Sequence, residues 1–289
     1  MIFDKVFAGL DLTKPVYIHT PQRAQSVVTV MSKLSEELSG RGYQVEICYG
    51  FFWSFWLVAT KRKSVHILNL ELNFFAWLAR CSISWIHGIP TVSMTRTRRW
   101  IVTTYTATAC RFGSILVPVS NLLASTIRKN WKVNGQLITI SNKWVVDSLK
   151  FRSETNSDPR PIDVIYIGRM SEAKRTKDVE RLFDCLVQSG FSVEMWGTPP
   201  IDSKHYKGRL DYPDEVAVKM SQARFFLNLN SFEPYGLTVY EAHLAGCTIV
   251  CPLSTGALED VMAEKGSFCV ISDENDYSST VQTVKQLLE

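Results

Sequence analysis

The chain has 289 residues, of which 46% are hydrophobic and 21% are charged. These proportions exclude a disordered or fibrous protein, and the length suffices for two α/β domains of modest size. The formal net charge of +4 hides an asymmetry, because residues 1–150 carry an excess of eleven positive charges and residues 151–289 an excess of seven negative ones.

The N-terminal residues and the cysteines bear on the compartment. Residues 1–15 contain Asp4, Lys5 and Asp11, so they lack the unbroken apolar stretch of a secretory signal. The most apolar window, 51–60, has half of the roughly 20 residues that a membrane-spanning helix needs. The seven cysteines form no C-x-x-C pair and are typical of buried thiols in a reducing compartment. We therefore expect a cytoplasmic protein without a transmembrane span or a metal site.

Short β-branched runs alternate along the chain with longer amphipathic stretches, a pattern typical of βαβ units on parallel sheets. In the first half, strands are predicted at residues 15–20, 43–49, 64–70, 90–95, 114–120 and 136–141. In the second half, strands are predicted at residues 162–168, 191–197, 223–230, 247–252 and 267–272. The polar segment 151–161, with two prolines, is predicted to link a domain 1–152 to a domain 153–289.

The strand predicted at 162–168 leads into Gly168, Arg169 and, five residues later, Lys174. Ligands of open parallel sheets bind at the carboxyl ends of the strands, so both cations are expected at the rim of a ligand crevice. An arginine forks onto phosphate oxygens and a lysine adds a flexible point charge. This pair is suited to a diphosphate, although a solvated loop explains the same spacing.

A second segment places two carboxylates around a glycine turn. Glu233 and Gly236 follow the strand predicted at 223–230, and a helix is predicted to begin near Leu237. The amides of such a turn and helix start are donors for an anionic or hydroxyl-rich ligand. Glu241, inside the helix, is placed to accept hydrogen bonds from the vicinal hydroxyls of a ribose. For either glutamate, the alternative is a solvated acid near a helix N-terminus.

The run EPYGLTVYEAHLAG at 233–246 resembles the E-P-F-G-L-x-x-x-E-A-x-x-x-G signature of retaining GT-B glycosyltransferases of the family-four type. Similar matches are GRMSEAK at 168–174, WGTPP at 196–200, STGALEDVM at 254–262, PVSNLLASTI at 118–127 and SNKWVVD at 141–147. The resemblance covers nearly the whole chain. It implies an α/β fold of two Rossmann-like parallel-sheet domains facing a cleft.

The same resemblance implies an activity: a hexosyltransferase that moves a sugar from a nucleotide diphosphate sugar to an acceptor hydroxyl. It implies retention of configuration, no metal or cofactor, and a place in glycolipid or polysaccharide assembly. Arg169, Lys174 and Glu233 are the implied catalytic residues; the two cations neutralise the leaving diphosphate, and Glu233 holds donor-sugar hydroxyls. The implied donor-binding residues are Gly168, Tyr235, Gly236, Leu237 and Glu241.

The sequence departs from the family pattern in three places. The family's Gly-Gly pair after the first strand is replaced by HTPQRAQS at 19–26. The family's active-site histidine follows a strand reading I-P-x-V-x-T-x-H, and GIPTVSMTRT at 88–97 puts Arg96 there. His87, followed by Gly88, is instead predicted to end a glycine-capped helix. The chain also stops short of the family's extra C-terminal helices, as a shortened or minimal member would.

These departures keep a second function class open, a non-catalytic nucleotide-sugar-binding module or partner subunit of GT-B fold. Other enzyme classes are disfavoured, because the chain has neither the Asp-x-Asp triplet of a metal-dependent GT-A transferase nor a G-x-G-x-x-G dinucleotide motif. A glycoside hydrolase using Glu233 and Glu241 is disfavoured as well. Eight residues of helix span about 12 Å, whereas paired hydrolytic carboxylates lie about 5 to 9.5 Å apart.

The basic first half predicts an anionic partner. The acceptor-side candidates, Arg96, Arg98 and Arg99, follow the strand predicted at 90–95 and are expected at its carboxyl end. We hypothesise that these arginines engage an anionic, lipid-linked acceptor at the inner membrane face. A solvated basic loop is the alternative, and no nucleic acid partner is expected.

Trp100 and the aromatic and basic run 51–63 are expected to contribute to the same contact. Exposed aromatic and cationic side chains suit a membrane interface. The residues from 51 to 58 equally fit an ordinary buried helix face.

Overall fold

A computed structural model describes residues 2–7, 13–21, 25–89, 94–147, 151, 160–271 and 277–288. The chain divides into two compact units, Met1–Val145 and Val146–Glu289. The first unit ends before the boundary predicted at 152. Each unit contains one parallel sheet, with six strands among the described residues.

The first unit has its strands in the order β2-β1-β3-β4-β5-β6. The strands are β1 Val16–Thr20, β2 Val45–Tyr49, β3 Val65–Asn69, β4 Cys81–Ile86, β5 Ile115–Pro118 and β6 Gln136–Leu137. The helices are α1 Ile2–Phe7, α2 Gln25–Gly40, α3 Phe51–Thr60, the 3-10 helix η1 Leu70–Trp77, α4 Arg96–Phe112 and α5 Asn121–Asn130. β1 and β3 are buried along their whole length, as expected of central strands that are covered on both faces.

Among the described residues, the last strand before α4 is β4, Cys81–Ile86, which the sequence did not predict. The strand predicted at 90–95 is wrong at its carboxyl end, because Thr95 caps a helix: its hydroxyl accepts a hydrogen bond from the backbone N–H of Arg98 at 3.3 Å. Residues 90–93 lie outside the described residues.

The second unit has its strands in the order β12-β11-β10-β7-β8-β9. The strands are β7 Ile162–Arg169, β8 Val193–Thr198, β9 Tyr206–Gly208, β10 Ala223–Leu227, β11 Thr248–Pro252 and β12 Phe268–Ile271. The helices are α6 Lys143–Asp147 at the junction of the units, the 3-10 helix η2 Glu172–Lys174, α7 Thr176–Gln188, α8 Asp214–Ser221, α9 Leu237–Leu244, α10 Leu258–Ala263 and α11 Tyr277–Leu288. The short edge strand β9 was not predicted.

Helix α7 packs on the core of the second unit and positions the loop that follows β7. Val179, Leu182, Phe183 and Leu186 recur at helical spacing and are buried in one cluster with the sheet. Because this stripe fixes α7 on the sheet, the loop between β7 and α7 is held at the carboxyl end of β7. That loop contains Lys174.

The described helices include none that combines the length and the apolar character needed to span a bilayer.

Candidate functional site

The carboxyl ends of β7 and β8 meet at two glycines. Gly168 and Gly197 are register partners in the sheet. The φ of Gly197 is +151°, and a Cβ there would lie 1.7 Å from the carbonyl oxygen of Gly168. A side chain at residue 197 therefore has no room, and the main chain stays bare beside Arg169. A ligand can approach the backbone closely at this edge.

Arg169 and Lys174 both lie at this edge. Arg169 is the last residue of β7 and its side chain is exposed. Lys174 is the last residue of η2. The hydroxyl of Thr176 closes this loop, because it accepts a hydrogen bond from the N–H of Ser171 at 2.9 Å and donates one to the carbonyl of Ser171 at 3.0 Å. The loop is thus braced by its own hydrogen bonds.

Lys174 also connects the two motifs that the sequence suggested separately. Its Nζ forms an ion pair and hydrogen bond with Oε2 of Glu233, in the loop after β10. Asn230 donates from Nδ2 to the same carboxylate oxygen at 2.6 Å. The structure thereby brings Lys174 and Glu233 together at one edge of the sheet, with Asn230 as a third member that the sequence analysis did not single out.

The Glu233 loop is fastened to the loop after β11. The N–H of Glu233 donates to the carbonyl of Ser254 at 2.9 Å, and the N–H of Gly256 donates to the carbonyl of Glu233 at 2.9 Å. Gly236 has φ +88°, and a Cβ there would lie 2.9 Å from Cγ of Glu233. Gly236 is required by its conformation and by the closeness of the glutamate side chain.

Tyr235 and Leu237 enter the site differently. The Tyr235 side chain is 3% exposed, and its hydroxyl donates to Oδ2 of Asp260 on α10 at 3.0 Å. This side chain therefore anchors the loop to α10 rather than facing solvent. Leu237 begins α9, and its N–H belongs to the first helical turn, whose amides have no acceptor inside the helix.

Glu241 is the most deeply buried acid of the predicted site. Its side chain, 1% exposed, accepts a hydrogen bond on Oε1 from the hydroxyl of Tyr212 at 2.9 Å. Oε2 has no hydrogen-bond partner among the described residues. Burial raises the pKa of Glu241 to about 7, while the Tyr212 hydrogen bond opposes the rise. A buried oxygen of this kind is costly unless a ligand hydroxyl satisfies it.

Tyr212 was not predicted as a site residue. It lies in the loop before α8, far from the motifs in sequence, and no local pattern marks it.

In the first unit, His87 directly follows β4. The prediction that His87 ends a helix is wrong, because the residues before it form a strand. His87 therefore follows a strand, whereas Arg96, which the sequence put at the family's histidine position, is the first residue of α4.

The tautomer of His87 follows from its neighbour Asn69. Asn69 donates from Nδ2 to the carbonyl of His19 at 2.9 Å, so its Oδ1 faces Nε2 of His87 at 3.1 Å and accepts. Desolvation lowers the pKa of His87 to about 4. At neutral pH the ring is therefore uncharged, with Nε2 as donor and Nδ1 as acceptor.

Two further histidines, His19 and His66, lie in the central strands β1 and β3. Nε2 of His66 contacts the carbonyl of Lys61 at 3.0 Å and must donate, so Nδ1 of His66 accepts from Nε2 of His19 at 3.0 Å. Burial lowers the pKa of both rings, that of His19 to about 3. The segment 19–26, where the family has a glycine pair, begins at His19, and its residues 22–24 lie outside the described residues.

The acceptor-side arginines lie in the first turn of α4. Arg96, Arg98 and Arg99 are exposed, and the guanidinium of Arg99 donates to the carbonyl of Met94 at 3.3 Å. Trp100, next in the chain, is 68% exposed. The three cations therefore form a solvent-facing basic turn after β4.

Neither a protein-family model nor a curated protein matches the chain. Solved structures do match, at low identity. Sucrose-phosphate synthase from Thermosynechococcus elongatus is 14% identical with a TM-score of 0.67, over 95% of this chain and 90% of that one. HepE of Anabaena, solved with UDP and glucose, is 14% identical with a TM-score of 0.66, over 96% of this chain and 90% of that one.

A plant enzyme extends the similarity. The catalytic domain of starch synthase IV from Arabidopsis thaliana, bound to ADP and acarbose, is 12% identical with a TM-score of 0.60, over 96% of this chain and 92% of that one. The chain has the GT-B fold. This confirms the predicted architecture of two Rossmann-like parallel-sheet domains.

The second unit brings cations and carboxylates to the carboxyl end of its sheet. Arg169 at the end of β7 and Lys174 in η2 supply positive charge. Glu233 in the loop after β10 and Glu241 in α9 supply acceptor oxygens. Within the part of the chain that the structure describes, no three His, Cys, Asp or Glu side chains group as metal ligands.

Proposed function

We propose that the protein is a glycosyltransferase that moves a sugar from a nucleotide diphosphate donor to an acceptor hydroxyl. The contact between Lys174 and Glu233 carries this proposal, because it joins a phosphate-binding cation to a sugar-binding carboxylate at one sheet edge. The similar structures of HepE and starch synthase IV contain UDP and ADP, which supports a nucleotide in the donor.

Arg169 and Lys174 bind the diphosphate of the donor and neutralise the charge that builds on it as the bond to the sugar breaks. An ammonium group has three donors, so Lys174 can retain Glu233 while it binds a phosphate oxygen. Glu233 and the amides of Gly236 and Leu237 hold hydroxyls of the sugar. Glu241 accepts hydrogen bonds from the ribose with the oxygen that Tyr212 leaves available.

The proposed reaction retains the configuration of the donor. The acceptor oxygen attacks the anomeric carbon on the face from which the diphosphate departs, and a donor phosphate oxygen takes the acceptor proton. The charge of Arg169 and Lys174 takes the place of a metal ion. A hexose is the proposed sugar, and a lipid or polysaccharide precursor is the proposed acceptor.

His87 supports catalysis over the alternative of a non-catalytic binding module. That alternative rested in part on the missing histidine, and His87 directly follows β4, the last described strand before α4. We assign it the role of the family's active-site histidine, with its Nδ1 as an acceptor toward the substrate.

Thermal unfolding with a panel of nucleoside diphosphates and their sugars tests donor binding. A ligand at 100 times its Kd adds about 2.7 kcal/mol of apparent stability. One nucleotide series should raise the Tm of the wild type but not of Arg169→Ala or Lys174→Ala, while the exposed Lys207→Ala behaves as wild type. If no nucleotide raises the Tm, the proposed donor class is wrong.

A further inference from the structure

Helix α3 exposes an unusual number of aromatic side chains. Its sequence, FFWSFWLVAT, contains no charged residue, and only Ser54, Leu57 and Val58 are buried. The exposed members are Phe51, Phe52, Trp53, Phe55 and Trp56. Each is at least 45% exposed, and Phe52 is 87% exposed. A surface helix normally presents polar side chains opposite its buried stripe, so α3 is apolar on its solvent face as well.

The 3-10 helix η1 extends this apolar area. Phe74 and Trp77 are 42% and 51% exposed. Beneath them, the buried ring of Phe75 lies 4.7 Å from the ring centroid of Phe51 and 5.6 Å from that of Phe55. We call the seven exposed side chains of α3 and η1 the aromatic surface. Exposed apolar patches that are continuous in this way mark interaction sites in monomeric proteins.

Basic side chains border the aromatic surface at the end of α3. A hollow of about 410 Å³ is lined by Thr60, Lys61, Arg62, Lys63, Ser64 and Arg80. Its lining contains four cations and no acid. Arg62 donates from Nε to the carbonyl of Leu78 at 2.9 Å, which ties the loop after α3 to the segment before β4. We call this feature the basic hollow.

The charges indicate which partner suits this face. Between residues 49 and 80, the four cations are accompanied by one acid, Glu71. A second copy of the chain, docked symmetrically, would present the same basic face and supply a single acid, Glu71, for the four cations. An anionic bilayer complements them instead: tryptophan and phenylalanine insert at the level of the headgroups, and lysine and arginine attract anionic lipid.

We propose that the aromatic surface and the basic hollow dock the first unit onto an anionic lipid bilayer. Helix α3 lies in the plane of the interface with its aromatic side chains in the headgroup region. The basic hollow receives the phosphate groups of anionic lipids. This docking is independent of the proposed transfer activity, since none of its residues belongs to the donor site.

Co-sedimentation with vesicles tests the proposal, using phosphatidylcholine with and without phosphatidylglycerol. The wild type should bind the anionic vesicles more tightly than the neutral ones. Phe52→Ser with Trp56→Ser should weaken binding about tenfold, because two inserted aromatics are lost. The matched control, Val218→Ser with Leu253→Ser, removes exposed apolar side chains of the second unit and should bind as wild type.

A second pair of variants separates the electrostatic part. Lys63→Ser with Arg80→Ser should weaken binding to anionic vesicles and flatten its salt dependence. Arg128→Ser with Lys129→Ser, an equal charge loss on the exposed end of α5, should have a smaller effect. Because all these side chains are exposed, Tm and circular dichroism should remain those of the wild type.

Two results would overturn the proposal. One is equal binding of the aromatic variant and the wild type to anionic vesicles. The other is that the wild type does not bind vesicles but self-associates through these aromatic side chains, because a second copy of the chain would then be the partner.

Discussion

Lys174 and Glu233, 59 residues apart in the chain, form an ion pair at the carboxyl edge of the second sheet. The pair joins the loop after β7 to the loop after β10. Two segments that resemble donor-binding motifs therefore behave as one site, in which each residue restricts the position of the other.

Removing either partner should impair transfer far more than folding. We expect Lys174→Met to lower turnover by about 100-fold or more, because positive charge at the leaving diphosphate is lost. Glu233→Gln should lower turnover by a similar factor, because the carboxylate that holds the sugar hydroxyls and positions Lys174 is lost. The pair is partly exposed, so unfolding free energy should change by about 1 kcal/mol or less. Steady-state kinetics and denaturant unfolding on the same variants measure both quantities.

A double-mutant cycle then reports whether the two residues act together. The combined variant should lose less than the product of the two single losses. Independent, multiplying effects on turnover would show that the ion pair has no catalytic role.

Glu241 should make the stability of the second unit depend on pH. The pKa of Glu241 is raised from 4.5 to about 7, so the native state holds its proton in a range where the unfolded state has lost it. The wild type should lose stability relative to Glu241→Gln as pH rises from about 4.5 to 7, by about 3 kcal/mol in total. Urea unfolding of both proteins at several pH values measures the difference, and a pH-independent difference would contradict the shift.

Tyr212 should tune the same carboxyl group. Its hydrogen bond lowers the pKa of Glu241, so Tyr212→Phe should raise it further and move the onset of nucleotide binding to higher pH. Calorimetric titration with the nucleotide found by thermal shift, between pH 6 and about 8.5, follows that onset. An unchanged profile in Tyr212→Phe would remove Tyr212 from the site.

The buried histidines of the first unit should change the pH dependence of stability in the direction opposite to that of Glu241. The pKa values of His19 and His87 are lowered from 6.5 to about 3 and about 4. Between about pH 4 and 6.5 these rings are therefore more protonated in the unfolded state than in the native state. Their contribution to stability is complete above about pH 6.5 and is lost as pH falls toward 4. Relative to His87→Asn, the wild type should lose stability through this window; parallel curves would contradict the assignment.

His87 should also matter for transfer. If it contacts the substrate, His87→Ala should lower turnover while nucleotide-induced stabilisation stays unchanged. Arg96→Ala serves as the comparison, because the sequence alone placed Arg96 at this position. A larger loss of turnover in Arg96→Ala than in His87→Ala would favour the original placement.

The basic turn of α4 carries the acceptor hypothesis. Arg98→Ser with Arg99→Ser should raise the KM for an anionic acceptor and leave nucleotide affinity unaltered. The control is Arg128→Ser with Lys129→Ser, which removes the same charge from α5. Normal acceptor kinetics in the α4 variant would leave the arginines without a role in recognition.

Most strands of the fold could be predicted from the sequence because they are β-branched runs between turn residues. β4 was missed. Ser82 and Ser84 alternate with Ile83 and Trp85, which is the period-two pattern of a half-buried strand. All four side chains are buried, so the segment lacks the continuous apolar run that marks most central parallel strands. The sequence predicted a strand at 90–95 instead and gave Arg96 the position after it, whereas Thr95 and Arg96 begin α4 in the structure.

The proposed donor site was also predicted only in part. Arg169, Lys174, Glu233 and Glu241 lie in local motifs, where residue type and spacing carry the chemistry. Tyr212 reaches Glu241 across 29 residues from a loop with no motif, so the contact exists only in the folded chain.

Release of nucleoside diphosphate from a panel of nucleotide sugars, in the presence of a chelator and candidate acceptors, tests the central proposal most directly. The wild type should release nucleotide from one donor series and form a product of retained configuration, whereas Lys174→Ala should not. Binding of a nucleotide sugar without any turnover, or turnover that the chelator abolishes, would contradict it.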